Sequence, residues 1–256
     1  MTVLNDNQIF HIHTYRCGHA EDIPDETYVK EAIRLGAGGI WFMDHAPFPG
    51  DPFRGRMKYN DLGEYLDTLT ALKEKYNGFV HIGLETEYFP SFDEMGYYRT
   101  LTRDRRVEFL LLGQHMAEDL DVRGKYTFSW SKEKLYTEEY LALGSAICSG
   151  IDSGYFNCVA HPDRIFRRCK QWTTDMEAVG RAIVLKSQSC GIPLELNMHS
   201  IAVKHYYWPE FWRMVSSPVM VGLDAHSKDE LIRRYARQQH ITGKIECRGG
   251  MIALPS

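Results

Sequence analysis

Histidine is the residue type in this 256-residue chain that needs a chemical explanation, because most of its 11 copies stand at the ends of short apolar runs rather than on polar surface. His11 and His13 close the first run, His45 the second, Glu85 the third, His115 the fourth, His161 the fifth, and Asp224 with His226 the last; His19 follows shortly after the opening pair. Imidazole with carboxylate is a donor set for Zn²⁺, Fe²⁺ or Mn²⁺. Seven imidazoles and two carboxylates exceed what one ion accepts. A bridging carboxylate such as Glu85 would hold two ions roughly 3.5 to 4 Å apart, so the expected centre contains two or three divalent ions. A lone histidine at the end of a run is more often a packed core or loop residue; recurrence at six of seven run ends is what marks a metal site. His81, His199, His205 and His240 lack that placement: His81 should pack low on the strand face it shares with Glu85, and His205 and His240 read as surface or helix residues.

The elements that must position these donors are legible as seven runs rich in branched and aromatic residues, at 9–14, 39–44, 79–88, 108–115, 155–161, 193–197 and 219–226. Each reads as a buried strand. Helix-length stretches lie between them, at 25–35, 61–76, 133–149, 175–190 and 208–215, with a further one at 228–239 after the last run. Strand and helix alternating at this spacing predict parallel βαβ units closed into a (β/α)7-type barrel, one domain spanning 1–256. The C-terminal strand ends of such a barrel converge on one face, so His11 and His226 become neighbours. Period two puts His11 and His13 on one side of their strand and Asp224 with His226 on one side of theirs. The long connections 47–58 and 117–131 should shape the mouth.

Composition narrows the partners. With 30 basic and 34 acidic side chains the formal charge is −4, too mild for a nucleic-acid or membrane-surface binder. No apolar run approaches the roughly 18 to 20 residues of a spanning helix, and the first eight residues are polar rather than a signal sequence, so a cytoplasmic protein acting on small molecules is expected. The six cysteines show no CxxC pair and read as free thiols filling the core. Neither composition nor spacing sets the oligomeric state.

The segments His11-Ile-His13 with Cys17-Gly-His19-Ala, Gly39-Ile-Trp-Phe-Met-Asp-His45-Ala-Pro, Gly83-Leu-Glu85, Gly113-Gln-His115, His161-Pro-Asp, Glu195-Leu-Asn197 and Leu223-Asp224-Ala-His226-Ser follow one another in order. In this series the chain resembles the polymerase and histidinol phosphatase (PHP) family, and within it the bacterial histidinol-phosphate phosphatases. The resemblance implies a distorted (β/α)7 TIM-like barrel with a trinuclear site: His11, His13, Glu85 and Asp224 around one ion, His115 and His161 sharing Glu85 with a second, and His19, His45 and His226 holding a third. It further implies hydrolysis of L-histidinol phosphate to L-histidinol and phosphate, a step of histidine biosynthesis. A metal-bridging hydroxide would attack phosphorus in line, with Asp224, His226 or a bound water as the open choices of acid for the leaving oxygen.

Arg164, three residues after His161, matches the family's phosphate arginine, and a guanidinium fork suits a pair of phosphoryl oxygens. The chain departs from the family after the Glu-x-Asn motif, where Ser200 and Ala202 replace the usual Gly and Arg. Lys204 is the nearest replacement cation, and His199 could face the pocket. Glu118 and Asp119 are candidates for a substrate amine only as acids on a mouth loop. The alternative is a PHP-family phosphoesterase for another small phosphorylated metabolite. An amidohydrolase would need a bridging lysine that no run end carries, and a non-catalytic module would not keep all nine donors.

Overall fold

The computed structural model describes residues 2–119 and 121–247, the last five of these as backbone only. Seven strands run parallel in sequence order: β1 (Ile9–Ile12), β2 (Ile40–His45), β3 (Val80–Thr86), β4 (Phe109–Leu112), β5 (Cys158–Val159), β6 (Leu194–Asn197) and β7 (Val219–Gly222). The helices α1 (Asp25–Arg34), α2 (Leu62–Lys75), α3 (Pro90–Glu94), α4 (Tyr97–Arg103), α5 (Lys132–Thr137), α6 (Glu139–Ser153), α7 (Thr174–Cys190), α8 (Met198–Ala202), α9 (Pro209–Trp212) and α10 (Lys228–Cys247) lie in the connections. Parallel bridges at Val3 with Val219 and Ile12 with Ala225 bring β7 back to β1. Backbone bonds from Leu223 to Phe10 (2.8 Å) and from His13 to Ala225 (3.0 Å) run along that seam. The expected (β/α)7 barrel is therefore the observed fold, and its closing seam carries His11, His13, Asp224 and His226. No helix among the described residues is long and apolar enough to cross a membrane.

Two apolar cores follow from the strand pattern. Ile9, Ile12, Phe42, Ile82, Leu84, Val221 and Leu223 pack in the larger cluster with helical side chains such as Tyr28, Leu69 and Ile183. Phe10, Met43, Leu111, Cys158 and Ala160 form a second cluster, joined by Trp41, Phe109 and Met220, that floors the site. His81 stacks on Trp41 with centroids 4.0 Å apart, low on its strand as its spacing from Glu85 predicts.

Strict alternation does not hold on β1. His11 takes φ 71, the left-handed region, and the pairing with β2 shifts between Ile9 and Ile12. This bulge lets Phe10 fill the floor while His11 and His13 both face the mouth, with ring centroids 4.9 Å apart. The strands are also shorter than the runs, and two helices differ from expectation. The 133–149 stretch is two helices, because the buried Glu139 takes Arg167 and Arg168 at 2.9 and 2.7 Å and turns the chain inward after Glu138. The 208–215 stretch is helical only from Pro209 to Trp212, since the chain must extend ahead of Pro218 to enter β7. The two mouth connections meet through aromatic rings: Phe53 lies 4.7 Å from Tyr126 and 5.2 Å from Phe48.

Gly113 and Gly222 are open places beside carboxylates. A Cβ on Gly113 would overlap the Glu85 carboxylate, and one on Gly222 would overlap that of Glu195. Gly113→Ala should cost about 1–3 kcal/mol by overpacking, whereas Gly63→Ala, in open space on α2, should be neutral or stabilise by up to about 1 kcal/mol. Urea unfolding of the two variants beside the parent chain checks both.

Candidate metal centre

Glu85 sits on β3, 1% exposed, opposite His45 on β2. Its Oε1 faces His161 Nε2 at 2.9 Å and His115 Nε2 at 3.7 Å. Its Oε2 faces His45 Nδ1 at 3.0 Å, His11 Nε2 at 3.5 Å and His13 Nε2 at 3.6 Å. Asp224 Oδ1 lies 3.5 Å from His13 Nε2 and 3.6 Å from His226 Nδ1, and the His13 and His226 rings stack at 4.2 Å. His19 is exposed and stands over the same group, its ring 4.7 Å from that of His226. All nine donors expected from the sequence thus stand around one mouth.

A layer of carboxylates that the sequence analysis did not assign holds the rings from behind. Glu195 Oε1 lies 2.6 Å from His11 Nδ1, and its Oε2 accepts from the His161 backbone N–H at 3.0 Å. Asp44 faces His13 Nδ1 at 3.6 Å and takes the Thr14 hydroxyl. Glu87 lies 3.1 Å from His115 Nδ1 and receives Arg56 through two bonds of 3.0 Å. Such partners orient a ligating imidazole and raise its basicity. A signal for Asp44, Glu87 and Glu195 was present: acids inside apolar strand runs must be paired when buried.

The electrostatics follow from burial opposed by these neighbours. Burial lowers His11, but Glu195 and Glu85 outweigh it and hold the ring well above its ordinary value. His45 is pushed down to about 4 by burial and then by His13, and His161 to about 4 by burial and Arg164. Burial would raise Glu85, yet His115, His11 and His45 keep it well below the usual carboxylate range. Asp224 is held below its range too, against burial, chiefly by Arg164.

His11 Nε2, both His13 nitrogens, Glu85 Oε2 and His226 Nε2 are buried without a hydrogen-bond partner. Buried polar atoms in a folded protein are almost always satisfied, and these converge. Four sets of donors lie within 4.8 Å of one another: His11, His13 and Asp224; His45, Glu85 and His115; His13, His45 and His226; and Cys17, His19 and His226. The residues present therefore fit divalent ions.

The cluster opens into a cavity of about 490 Å³ whose wall includes Arg164, Arg167, Arg54, His199 and Tyr206. Arg164 is held by Asp224 at 2.5 Å, Asn197 at 3.2 Å and Ser200 Oγ at 3.2 Å. His199 lines the wall as expected, but Lys204 does not: α8 ends at Ala202, and Lys204, two residues on, is exposed. Arg54, exposed on the 47–58 connection, lines the wall together with Arg56 and Arg167. Glu118 and Asp119 also lie off the wall and brace their loop, Glu118 accepting from Ser91 and Gly124, and Asp119 from the Trp130 indole.

A parallel (β/α)7 barrel with potential metal donors gathered at the C-terminal mouth is the class that fold and site define. Residues 10–199 match the PHP domain, and the chain belongs to the PHP family. It is 36% identical over 99 residues to a Deinococcus radiodurans protein named probable histidinol-phosphatase, covering 37% of this chain and 36% of that protein. A Bacillus subtilis histidinol-phosphatase is 33% identical over 92 residues, covering 33% of this chain and 34% of that protein. The matched region thus spans about a third of these relatives' length. Among solved structures, a Listeria monocytogenes protein provisionally described as a histidinol phosphatase superposes with TM-score 0.73 at 18% identity, over 90% of this chain and 99% of that one. A Lactococcus lactis histidinol phosphate phosphatase, complexed with zinc, L-histidinol and phosphate, gives 0.67 at 17% identity, over 93% of this chain and 94% of that one.

Glu195→Gln keeps the shape but removes the charge behind His11. Isothermal titration of the stripped protein with Zn²⁺ should show about 10- to 100-fold weaker binding, with an unchanged circular dichroism spectrum.

Proposed function

We propose that the chain is a metal-dependent phosphomonoesterase that hydrolyses L-histidinol phosphate to L-histidinol and phosphate. The observation that carries this reading is Glu85, whose two oxygens divide five imidazoles between them beside the Arg164 guanidinium in an open cavity. The similarity to histidinol-phosphatases supports the substrate. Glu85 Oε2 with His11, His13 and Asp224 would hold one ion, and Oε1 with His115 and His161 a second. When bound, the ions supply Lewis acidity and a nucleophile at neutral pH.

The chain's own residues bind the phosphoryl group and orient the leaving oxygen. Arg164 presents its guanidinium to the phosphoryl oxygens, fixed by Asn197, Ser200 and Asp224, so little ordering is left for the moment of reaction. Asp224 keeps its charge and acts as anchor rather than acid. Arg234 Nη2 lies 2.7 Å from His199 Nδ1. A guanidinium only donates, so this nitrogen accepts and the neutral ring carries its proton on Nε2. That N–H, on the cavity wall, offers a hydrogen bond to the leaving oxygen, whose proton comes from water rather than from the neutral ring.

Ser200 and Ala202, in place of the family's Gly and Arg, favour a second reading: the same chemistry on another small phosphorylated metabolite. Steady-state hydrolysis of histidinol phosphate beside a panel of phosphomonoesters decides. The first reading predicts the highest kcat/KM for histidinol phosphate; a preferred alternative ester establishes the second. Dialysis against a chelator should abolish turnover, and Zn²⁺ or Mn²⁺ should restore it. Arg164→Lys loses the fork and should lower kcat/KM by about 10²–10³, with metal content by elemental analysis unchanged.

A further inference from the structure

The donors around His226 include one beyond those the family resemblance implies. His45 groups both with Glu85 and His115 and with His13 and His226. Beside His19 and His226 stands Cys17, the three donor atoms lying within 4.8 Å of one another. Cys17 is 1% exposed and ends the short 3-10 turn Tyr15–Cys17. Gly18 follows at φ 78 and reverses the chain, which brings His19 back over the mouth. His19 Nδ1 lies 3.1 Å from the Cys17 carbonyl oxygen. His226 Nδ1 lies 3.3 Å from the Asp224 carbonyl oxygen, and its Nε2 is buried without a partner. Burial and the nearby Asp44 push the thiol up to about 12, against the smaller lowering by the His19 and Ala20 backbone N–H groups, so the sulfur keeps its proton until an ion displaces it. Of the cysteines whose side chains are described, only Cys17 joins such a group.

We propose that Cys17 is a thiolate ligand of a divalent ion held together with His19 and His226. The inference rests on the reading of the mouth as a metal centre and adds a donor that the histidine and carboxylate pattern does not contain. On binding, the thiol proton passes to solvent and the sulfur lone pair forms the bond to the ion. One soft donor in the set favours Zn²⁺ over Mn²⁺ at this position.

The test uses the full chain, stripped of metal and saturated with Co²⁺, with stoichiometry fixed by elemental analysis. A near-ultraviolet sulfur-to-cobalt charge-transfer band is expected in the parent. Cys17→Ser should remove it and weaken one ion at least about tenfold, a loss no smaller than that for a residue behind a ligand. X-ray absorption of the zinc-loaded parent needs no variant and should show a sulfur neighbour at about 2.3 Å. Only nitrogen and oxygen neighbours in the parent, or a band that persists in Cys17→Ser, overturns the proposal. Failure to turn over histidinol phosphate with the band present faults the substrate reading and leaves the ligand in place.

Discussion

One carboxylate surrounded by imidazoles governs this architecture. Burying a carboxylate such as Glu85 costs several kcal/mol unless opposite charge and donors surround it. Five histidines from four different strand ends or the loops just beyond them do so. No local segment could supply that set; only closure of a parallel barrel brings β1 to β5 onto one rim. The same demand explains the side-chain-free places at Gly113 and Gly222 and the left-handed residue in β1. Each gives up local regularity so that a carboxylate or imidazole can reach the centre.

Around this centre the charges are arranged in alternating layers: Glu85 inside, imidazoles about it, then Asp44, Glu87 and Glu195 behind them. The arrangement ties the mouth to the centre. Arg56, on the 47–58 connection, lies over the rings of Phe48 and Phe53 at 5.3 and 5.4 Å. It pairs with Glu87, which holds His115, which faces Glu85. The loop that shapes the cavity and the donor that would grip an ion are therefore joined by packed and charged contacts. A second chain of bonds runs from His11 through Glu195 and Asn197 to Arg164, linking the side expected to hold an ion with the side expected to hold phosphate.

Much of this was legible in the sequence because function sits where the pattern is simplest. Histidines at the ends of apolar runs can be read without knowing any contact, and parallel strand ends must converge. The partners behind them were harder to read. Asp44 and Glu195 sit inside the strands, and although both fall within the recurring segments, their role appears only when the register sets them against His13 and His11. The β1 bulge was hidden because period two already gave the right side for His11 and His13, though not for Phe10. Lys204 was favoured by closeness in sequence, which fails once α8 ends at Ala202. Cys17 read as core filler, and it is buried; only the fold brings it beside His19 and His226.

The central claim is that Glu85 bridges divalent ions rather than simply pairing with histidines. Anomalous diffraction at the zinc absorption edge, on crystals grown with Zn²⁺, addresses it directly. The account predicts one peak between Glu85 Oε2, His11, His13 and Asp224 and another between Oε1, His115 and His161. A map without peaks at the mouth, with Glu85 in direct contact with His161 in the presence of zinc, would contradict it.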